Sequence, residues 1–173
     1  MQQTYIENIA KVLKDKKKLE KELKIKITNK GKNIFVDGKP ENEFIALKII
    51  EALDFGFSVD AAFQLNKEEI IFQVINIKDL TKRKDIERIK ARIIGTRGKT
   101  LETLKNLTEC NICLHENQIA IIGYCEEIRD AIQALTSIVQ GSKQSNVYAR
   151  LEKQRKNKNI ENKISIKNEL EKL

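Results

Sequence analysis

Two spacings organise the apolar positions of this chain, one helical and one alternating. Ile6, Ile9, Val12 or Leu13, Leu19 and Leu23 recur at helical spacing and predict helix over residues 5–23. The run Lys14-Asp15-Lys16-Lys17-Lys18 interrupts that series and predicts a turn between two short helices. Lys24–Thr28 and Asn33–Asp37 alternate polar and apolar residues, which predicts a hairpin through Asn29-Lys30-Gly31-Lys32. Pro40, in a first helical turn, and Gly56, past a last one, bound a helix with Phe44, Leu47, Ile50 and Leu53 inward. Ser58 is a cap for a short helix over Val59–Leu65, and Phe72–Ile77 reads as strand. Residues 81–94 read as helix, with Ile86, Ile89 and Ile93 on one side and Lys82, Arg83, Arg88 and Arg92 around them. Leu101, Leu104 and Leu107 predict another helix. Cys110–His115 and Gln118–Ile122 form a second hairpin through Glu116-Asn117, and a helix over Cys125–Val139 ends at Gly141.

These elements repeat. Each half runs helix, helix, strand, strand, glycine, helix, glycine, and Gly38 to Gly56 spans the same 18 residues as Gly123 to Gly141. Ile34-Phe35-Val36-Asp37-Gly38 matches Ala120-Ile121-Ile122-Gly123 in place and character. Two copies of an α+β unit of roughly 65 residues account for this better than one large domain.

Only the second half carries Ile94-Gly95-Thr96-Arg97-Gly98-Lys99-Thr100 between its two helical segments. Glycines at both ends of a tight turn let a ligand's backbone approach without meeting a Cβ. The N–H groups opening the next helix carry partial positive charge, which suits phosphate. Taken alone, the same four residues also describe a plain helix–helix turn.

Charge changes the weighting. The chain carries a net +8, but residues 81–105 hold nine basic and three acidic side chains while residues 106–141 hold one and five. Residues 142–173 hold nine and four, so the surplus is focused on the glycine turn and the tail, the footprint of a polyanion binder. No apolar run reaches the ~20 residues that span a bilayer, the first residues lack a secretion pattern, and three cysteines form no even framework. A cytoplasmic protein is expected.

Residues 86–141 follow the order of a type I KH domain, in which a G-x-x-G loop clamps about four nucleotides of single strand. The wider pattern is Arg92-Ile93-Ile94-Gly95-x-x-Gly98-Lys99-Thr100, Leu104-x-x-Leu107-Thr108, Ile119-Ala120-Ile121-Ile122-Gly123, then Gly141 and Val147-Tyr148-x-x-Leu151-Glu152. It resembles the archaeal KH proteins of the Pno/Dim/Krr type over most of residues 1–155. That resemblance implies two tandem type I KH-like domains (βααββα). Residues 1–56 form a degenerate copy without G-x-x-G, 57–70 a connecting helix, 71–141 the KH domain with the loop, and 142–173 a basic, helical tail. It implies a non-enzymatic small-subunit assembly factor binding single-stranded rRNA near the 3′ end of the 16S precursor. Implied partners are a Nob-type PIN-domain endonuclease and the alpha subunit of archaeal initiation factor two, with no cofactor, metal or membrane.

Arg92, Ile94, Gly95, Thr96, Arg97, Gly98 and Lys99 are the expected RNA-binding residues. Arg88, Lys90, Ile112, Leu114, Tyr148 and Arg150 are expected to add weaker contacts, with Ile112 and Leu114 as the far wall of a base groove. Tyr148 packs against its own domain or stacks on a base. Two departures from the family stand out. Lys14-Asp15-Lys16-Lys17 occupies the place of a first G-x-x-G, leaving that domain a packing partner with at most a lysine contact. Gln144 stands near a usual histidine. The tail, with Leu151, Ile160, Ile164, Ile166 and Leu170 too sparse for a core, is either a projecting helix or a basic arm that orders on RNA or a partner.

Competing chemistry is weaker. Cys110, Cys113, His115 and Cys125 have the spacing of half a zinc ribbon, but strand residues three apart face opposite sides. His115 lacks an acidic orienter for catalysis with a cysteine, and no Walker A or dinucleotide pattern is present. The rival functions are a protein–protein adaptor on KH scaffolds and a KH subunit of an RNA-degrading assembly.

Overall fold

The computed structural model describes the backbone of residues 1–170 and the side chains of residues 1–167. The chain forms two compact units, Met1–Ile75 with Asn111–Cys125, and Asn76–Cys110 with the chain from Glu126 onward.

The first unit opens with a strand, β1 (Gln2–Tyr5), followed by α1 (Ile9–Leu23), β2 (Lys26–Lys30), β3 (Asn33–Asp37) and α2 (Pro40–Phe55). β1 and β2 both pair antiparallel with β3, so the sheet order is β1-β3-β2. The strand at residues 2–5 replaces the start of the helix expected from residue 5. Gln2-Gln3-Thr4-Tyr5 is a short edge strand with no apolar alternation to announce it.

α1 is one uninterrupted helix, where the lysine run predicted a turn. Lysine is a good helix former and no glycine or proline breaks the stretch. Val12, Leu19 and Leu23 keep one buried stripe through it. Lys24 ends the helix in the left-handed region, its N–H donating to the Glu20 carbonyl. At the other end the Glu7 and Asn8 N–H groups donate to the Asp54 carboxylate of α2 at 3.0 and 2.7 Å.

α2 starts at Pro40 and is capped by Gly56, as expected. Its inward face differs by a few positions: Ala46, Ile49, Ile50, Ala52 and Leu53 are buried, while Phe44 is 55% exposed with the Lys48 ammonium 4.3 Å from its ring centre. These residues join Ile27, Ile34 and Val36 of the sheet and Val12 and Leu19 of α1 in one core.

Ser58 caps α3 (Val59–Phe63), its Oγ accepting from the Ala61 N–H at 3.3 Å. After a single 3-10 turn (Gln64–Asn66) the chain enters β4 (Ile70–Asn76), which begins two residues before the expected strand. The hairpin of β5 (Asn111–His115) and β6 (Gln118–Tyr124) completes a second sheet of order β4-β6-β5, the same strand order as the first. Residues 119–123 are all buried, and Ala120 and Ile122 belong to the core of this unit.

In the second unit, α4 (Ile77–Leu80) is one turn capped by Asn76, and residues 82–85 are not helical. The helix expected over residues 81–94 therefore shortens to α5 (Ile86–Ile94). Arg83 is held in a two-point pair with Asp85, at 3.0 and 2.7 Å, which favours the local bend over another helical turn. Next come a 3-10 turn (Thr96–Gly98), α6 (Lys99–Thr108), α7 (Cys125–Val139) and α8 (Gln144–Leu170). Ile89, Ile93, Leu104, Ile128, Leu135, Ile138, Val147 and Leu151 are buried. Along the chain, β4, α5, α6, β5, β6 and α7 follow the βααββα order, and the first copy departs from it by a single α1 in place of a helix pair.

The tail is helical over Gln144–Leu170, as expected; Val147 and Leu151 are buried and Lys158 pairs with Asp130 of α7 at 2.7 Å. Ile160, Ile164 and Ile166 are more than half exposed, and the Leu170 side chain lies outside the described residues. Among the described residues no helix is long and apolar enough to cross a membrane.

Candidate nucleic-acid interface

The turn between α5 and α6 is built by two glycines with different duties. Gly95 closes α5, its N–H donating to the Ala91 carbonyl at 2.8 Å, with φ 73° and ψ 178°, a backbone state almost confined to glycine. A Cβ there would lie 2.6 Å from the Thr100 Cβ and 2.9 Å from the Thr100 nitrogen, so packing forbids any side chain. Gly98 has φ 77° and donates its N–H to the Gly95 carbonyl at 3.2 Å, yet beyond its own chain neighbours no atom lies within 4 Å of the place its Cβ would occupy. The protein itself leaves the space over Gly98 open.

Between them Arg97 sits in the left-handed region at φ 54°, which costs a non-glycine residue about 1–2 kcal/mol. Arg97 and Lys99 are both exposed. Gly98 supplies no side-chain cap to α6, so the positive end of a ten-residue helix meets solvent beside two cations.

Beneath the turn lies an open groove within the second unit. Arg88, Arg92, Gly95, Thr96, Lys99 and Tyr148 line it, joined by Ala91, Thr100, Thr103 and Gln144. Six of the expected residues are thus brought together. Arg92 is partly committed: its Nη2 donates to the Ser142 carbonyl at 2.8 Å, tying α5 to the α7–α8 link. Gln144 makes the complementary tie, its Nε2 donating to the Arg92 carbonyl at 3.1 Å and to Thr100 Oγ1 at 3.0 Å. One side chain from the first turn of α8 therefore braces both flanks of the turn. Only the departure of Gln144 from a family histidine marked that position in the sequence; Thr100 stood in the quoted motif with no role assigned, and Thr103 gave no signal.

The remaining expected residues are placed elsewhere. Ile94 is 38% exposed at the turn itself. Lys90 pairs with Glu87 at 2.9 Å, which offsets its charge. Arg150 donates to Ser137 of α7 at 3.3 Å, while its Nε is buried without a partner. In the first unit Ile112 is 1% exposed, so its side chain is core in this conformation, and Leu114 is half-buried.

The cysteines show no shared task. Cys110 is buried, Cys113 half-buried and Cys125 exposed. Burial pushes the Cys110 thiol up to about 12. Among the described residues no group of three His, Cys, Asp or Glu side chains is placed to hold a metal. The hydrogen bond between Arg83 and Asp85 raises the pKa of the guanidinium and lowers that of the carboxyl from its ordinary value.

Residues 71–156 match the model for the second KH domain of Pno1 proteins, described as a eukaryotic-type KH domain (KH-domain type I). A KH domain-containing protein of Methanocaldococcus jannaschii is 30% identical over 147 residues, 81% of this chain and 65% of that protein. The RNA-binding protein PNO1 of Oryzias latipes is 29% identical over 138 residues, 75% of this chain and 57% of that one. The chain thus spans less than two thirds of the length of either curated relative. Among solved structures, the a/eIF2alpha-aDim2p-rRNA complex from Pyrococcus horikoshii superposes with a TM-score of 0.81 at 27% identity, covering 90% of this chain and 94% of that one.

Proposed function

Since the chain belongs to the KH-domain proteins of the Pno1/Dim2 type, we propose that it is a single-stranded RNA-binding protein that grips rRNA through the turn from Gly95 to Gly98. The observation that carries this reading is the bare backbone at Gly98. Beyond its chain neighbours no atom comes near the space a Cβ would take, and those neighbours, Arg97 and Lys99, are exposed at the start of α6. A sugar–phosphate strand laid there meets the positive end of α6 and two cations with no side chain in the way. The groove below offers Tyr148 as a stacking face and Arg88 as a further phosphate partner.

On this reading the protein acts by binding rather than catalysis, in maturation of the small ribosomal subunit, with the 3′-end region of pre-16S rRNA as its target. The second KH domain, residues 71–141, carries the grip. The initiation-factor alpha subunit named with the Dim2p neighbour is the first protein partner to test, and a Nob-type endonuclease the second.

Titration with 16S 3′-end RNA against a scrambled single strand is the test. Tight and selective binding, abolished by Gly98→Asp in a chain that still folds, is the expected result. Equal affinity for both strands would favour a subunit of an RNA-degrading assembly. No binding to either would leave an adaptor.

A further inference from the structure

One face of α8 serves two places. Gln144 and Tyr148, in its first turns, line the groove beneath the glycine turn. Val147 and Leu151, 3% and 2% exposed, root the helix in the second unit. At 100° per residue, Gln144, Tyr148, Gln154, Arg155, Lys158 and Asn162 all fall within about 60° of Leu151. The stripe that begins apolar therefore continues as Gln, Arg, Lys and Asn.

Beyond Leu151 the hold on α6 and α7 is electrostatic. Lys158 Nζ meets Asp130 Oδ2 of α7 at 2.7 Å, and Arg155 Nη2 meets Glu109 Oε1, one residue past α6, also at 2.7 Å. Arg155 Nη1 donates to the Asn106 carbonyl at 3.4 Å. Close packing does not hold this stretch. A cavity of about 110 Å³ is walled by Leu107, Thr108, Glu127, Asp130, Gln154 and Lys158, and Gln154 Oε1 is buried without a hydrogen-bond partner. A gap of that kind forfeits the dispersion contacts that its lining would otherwise make. Among the described residues no apolar side chain of α8 after Leu151 is buried.

The two ion pairs are thus what fastens the middle of α8, and the helix carries their effect to the groove. Lys158 stands ten residues from Tyr148, about 15 Å at 1.5 Å per residue. On charge alone, two carboxylates in a unit that binds a polyanion work against binding. Their place under the cations of α8 gives them another task.

We infer that Asp130 and Glu109 are positioning residues for RNA binding. Through Lys158 and Arg155 they hold α8 against α6 and α7, and so keep Tyr148 and Gln144 at the groove. The inference rests on the RNA-binding reading above and adds the residues that steady the α8 wall of that site. Neither carboxylate touches the RNA.

The test titrates the full chain with 16S 3′-end RNA at one fixed salt concentration, alongside amide hydrogen exchange and thermal melting. It compares wild type, E109Q/D130N, the charge-matched control E102Q/E161Q, K158D, the swapped pair D130K/K158D, and Gly98→Asp. Pairs of this exposure are each worth a factor of up to about five, so E109Q/D130N should bind about threefold to tenfold more weakly. Electrostatics alone gives the opposite sign, since both E109Q/D130N and the control lose two negative charges. The control should bind as tightly as wild type or slightly more tightly. Exchange over residues 152–162 should quicken in E109Q/D130N and in K158D, and the swapped pair should restore both exchange and affinity. Unchanged or tighter binding by E109Q/D130N, with Gly98→Asp still weakening it, overturns this inference and leaves the glycine turn standing. A swapped pair as weak as K158D overturns it in favour of a direct phosphate contact by Lys158. Equal weakening in the control overturns it as a general loss of stability, which the melts would register. Wild type that binds no RNA overturns both readings.

Discussion

Gln144 Nε2 donates to Thr100 Oγ1 at 3.0 Å, linking the first turn of α8 to the first turn of α6. The same nitrogen reaches the Arg92 carbonyl, so both walls of the glycine turn share one brace. Gln144→Ala removes two hydrogen bonds worth about 0.5–1.5 kcal/mol each. Stability should fall by about 1–2 kcal/mol in denaturant unfolding, and RNA affinity should fall severalfold because the turn loses its fixed geometry.

The two glycines should respond differently to substitution. Gly95→Ala forces a Cβ against Thr100 in a glycine-only backbone state, and should cost about 3 kcal/mol or more. Gly98→Ala meets no atom and should cost only about 1 kcal/mol, the strain of a left-handed alanine. Paired unfolding curves check the contrast. RNA titration of Gly98→Ala then isolates the effect of a methyl group on ligand approach.

Asp54 of α2 accepts the N–H groups of Glu7 and Asn8, the two residues that lead into α1. Asp54→Ala should destabilise the chain by about 1–3 kcal/mol, the range for hydrogen bonds to a charged acceptor. Hydrogen exchange should quicken first at Glu7 and Asn8.

Cys110 has its thiol held neutral by burial, with a folded pKa of about 12 against an ordinary value of 9.0. Between those values the folded state binds the proton more tightly than the unfolded state does. Stability from this group is therefore present below pH 9 and is lost as pH rises toward 12. The loss is at most ~1.4 kcal/mol per pH unit and smaller where solvent reaches the thiol. Unfolding of wild type and Cys110→Ala should converge as pH rises through that window. At pH 8 an alkylating reagent should modify exposed Cys125 well before Cys110.

The elements with strong punctuation were legible in the sequence. Pro40, Gly56 and Ser58 marked helix ends that the structure keeps, and the alternation of residues 33–37 gave β3 its bounds. The Gly95–Gly98 turn was legible because glycine is the only residue for one of its two backbone states. What misled was punctuation without a breaker. The lysine run in α1 lowers hydrophobicity without opposing helix, so the buried stripe simply skips it. β1 offered no pattern, since an edge strand needs only its backbone to pair. Phe44 shows that size and apolarity do not settle direction: half a turn of offset turned it outward and Ala46 inward.

Parts of the site lay beyond pattern reading for a simpler reason. Gln144 and Ser142 reach the turn across more than 40 residues of chain, and nothing local announces such a tie. Arg92 and Arg150 look alike as basic residues, yet each spends hydrogen bonds on its own protein. Counting charge therefore overstates how many cations face a ligand.

Arg92 also sets a practical boundary. Its guanidinium clasps the carbonyl of Ser142, beyond the last residue of α7. A fragment trimmed at Val139 would retain the full βααββα series and pass for a complete module by secondary structure alone. It would nonetheless forfeit the clasp and the amide behind it, so weak RNA capture by such a piece would report on where it was cut, not on the chemistry of its loop.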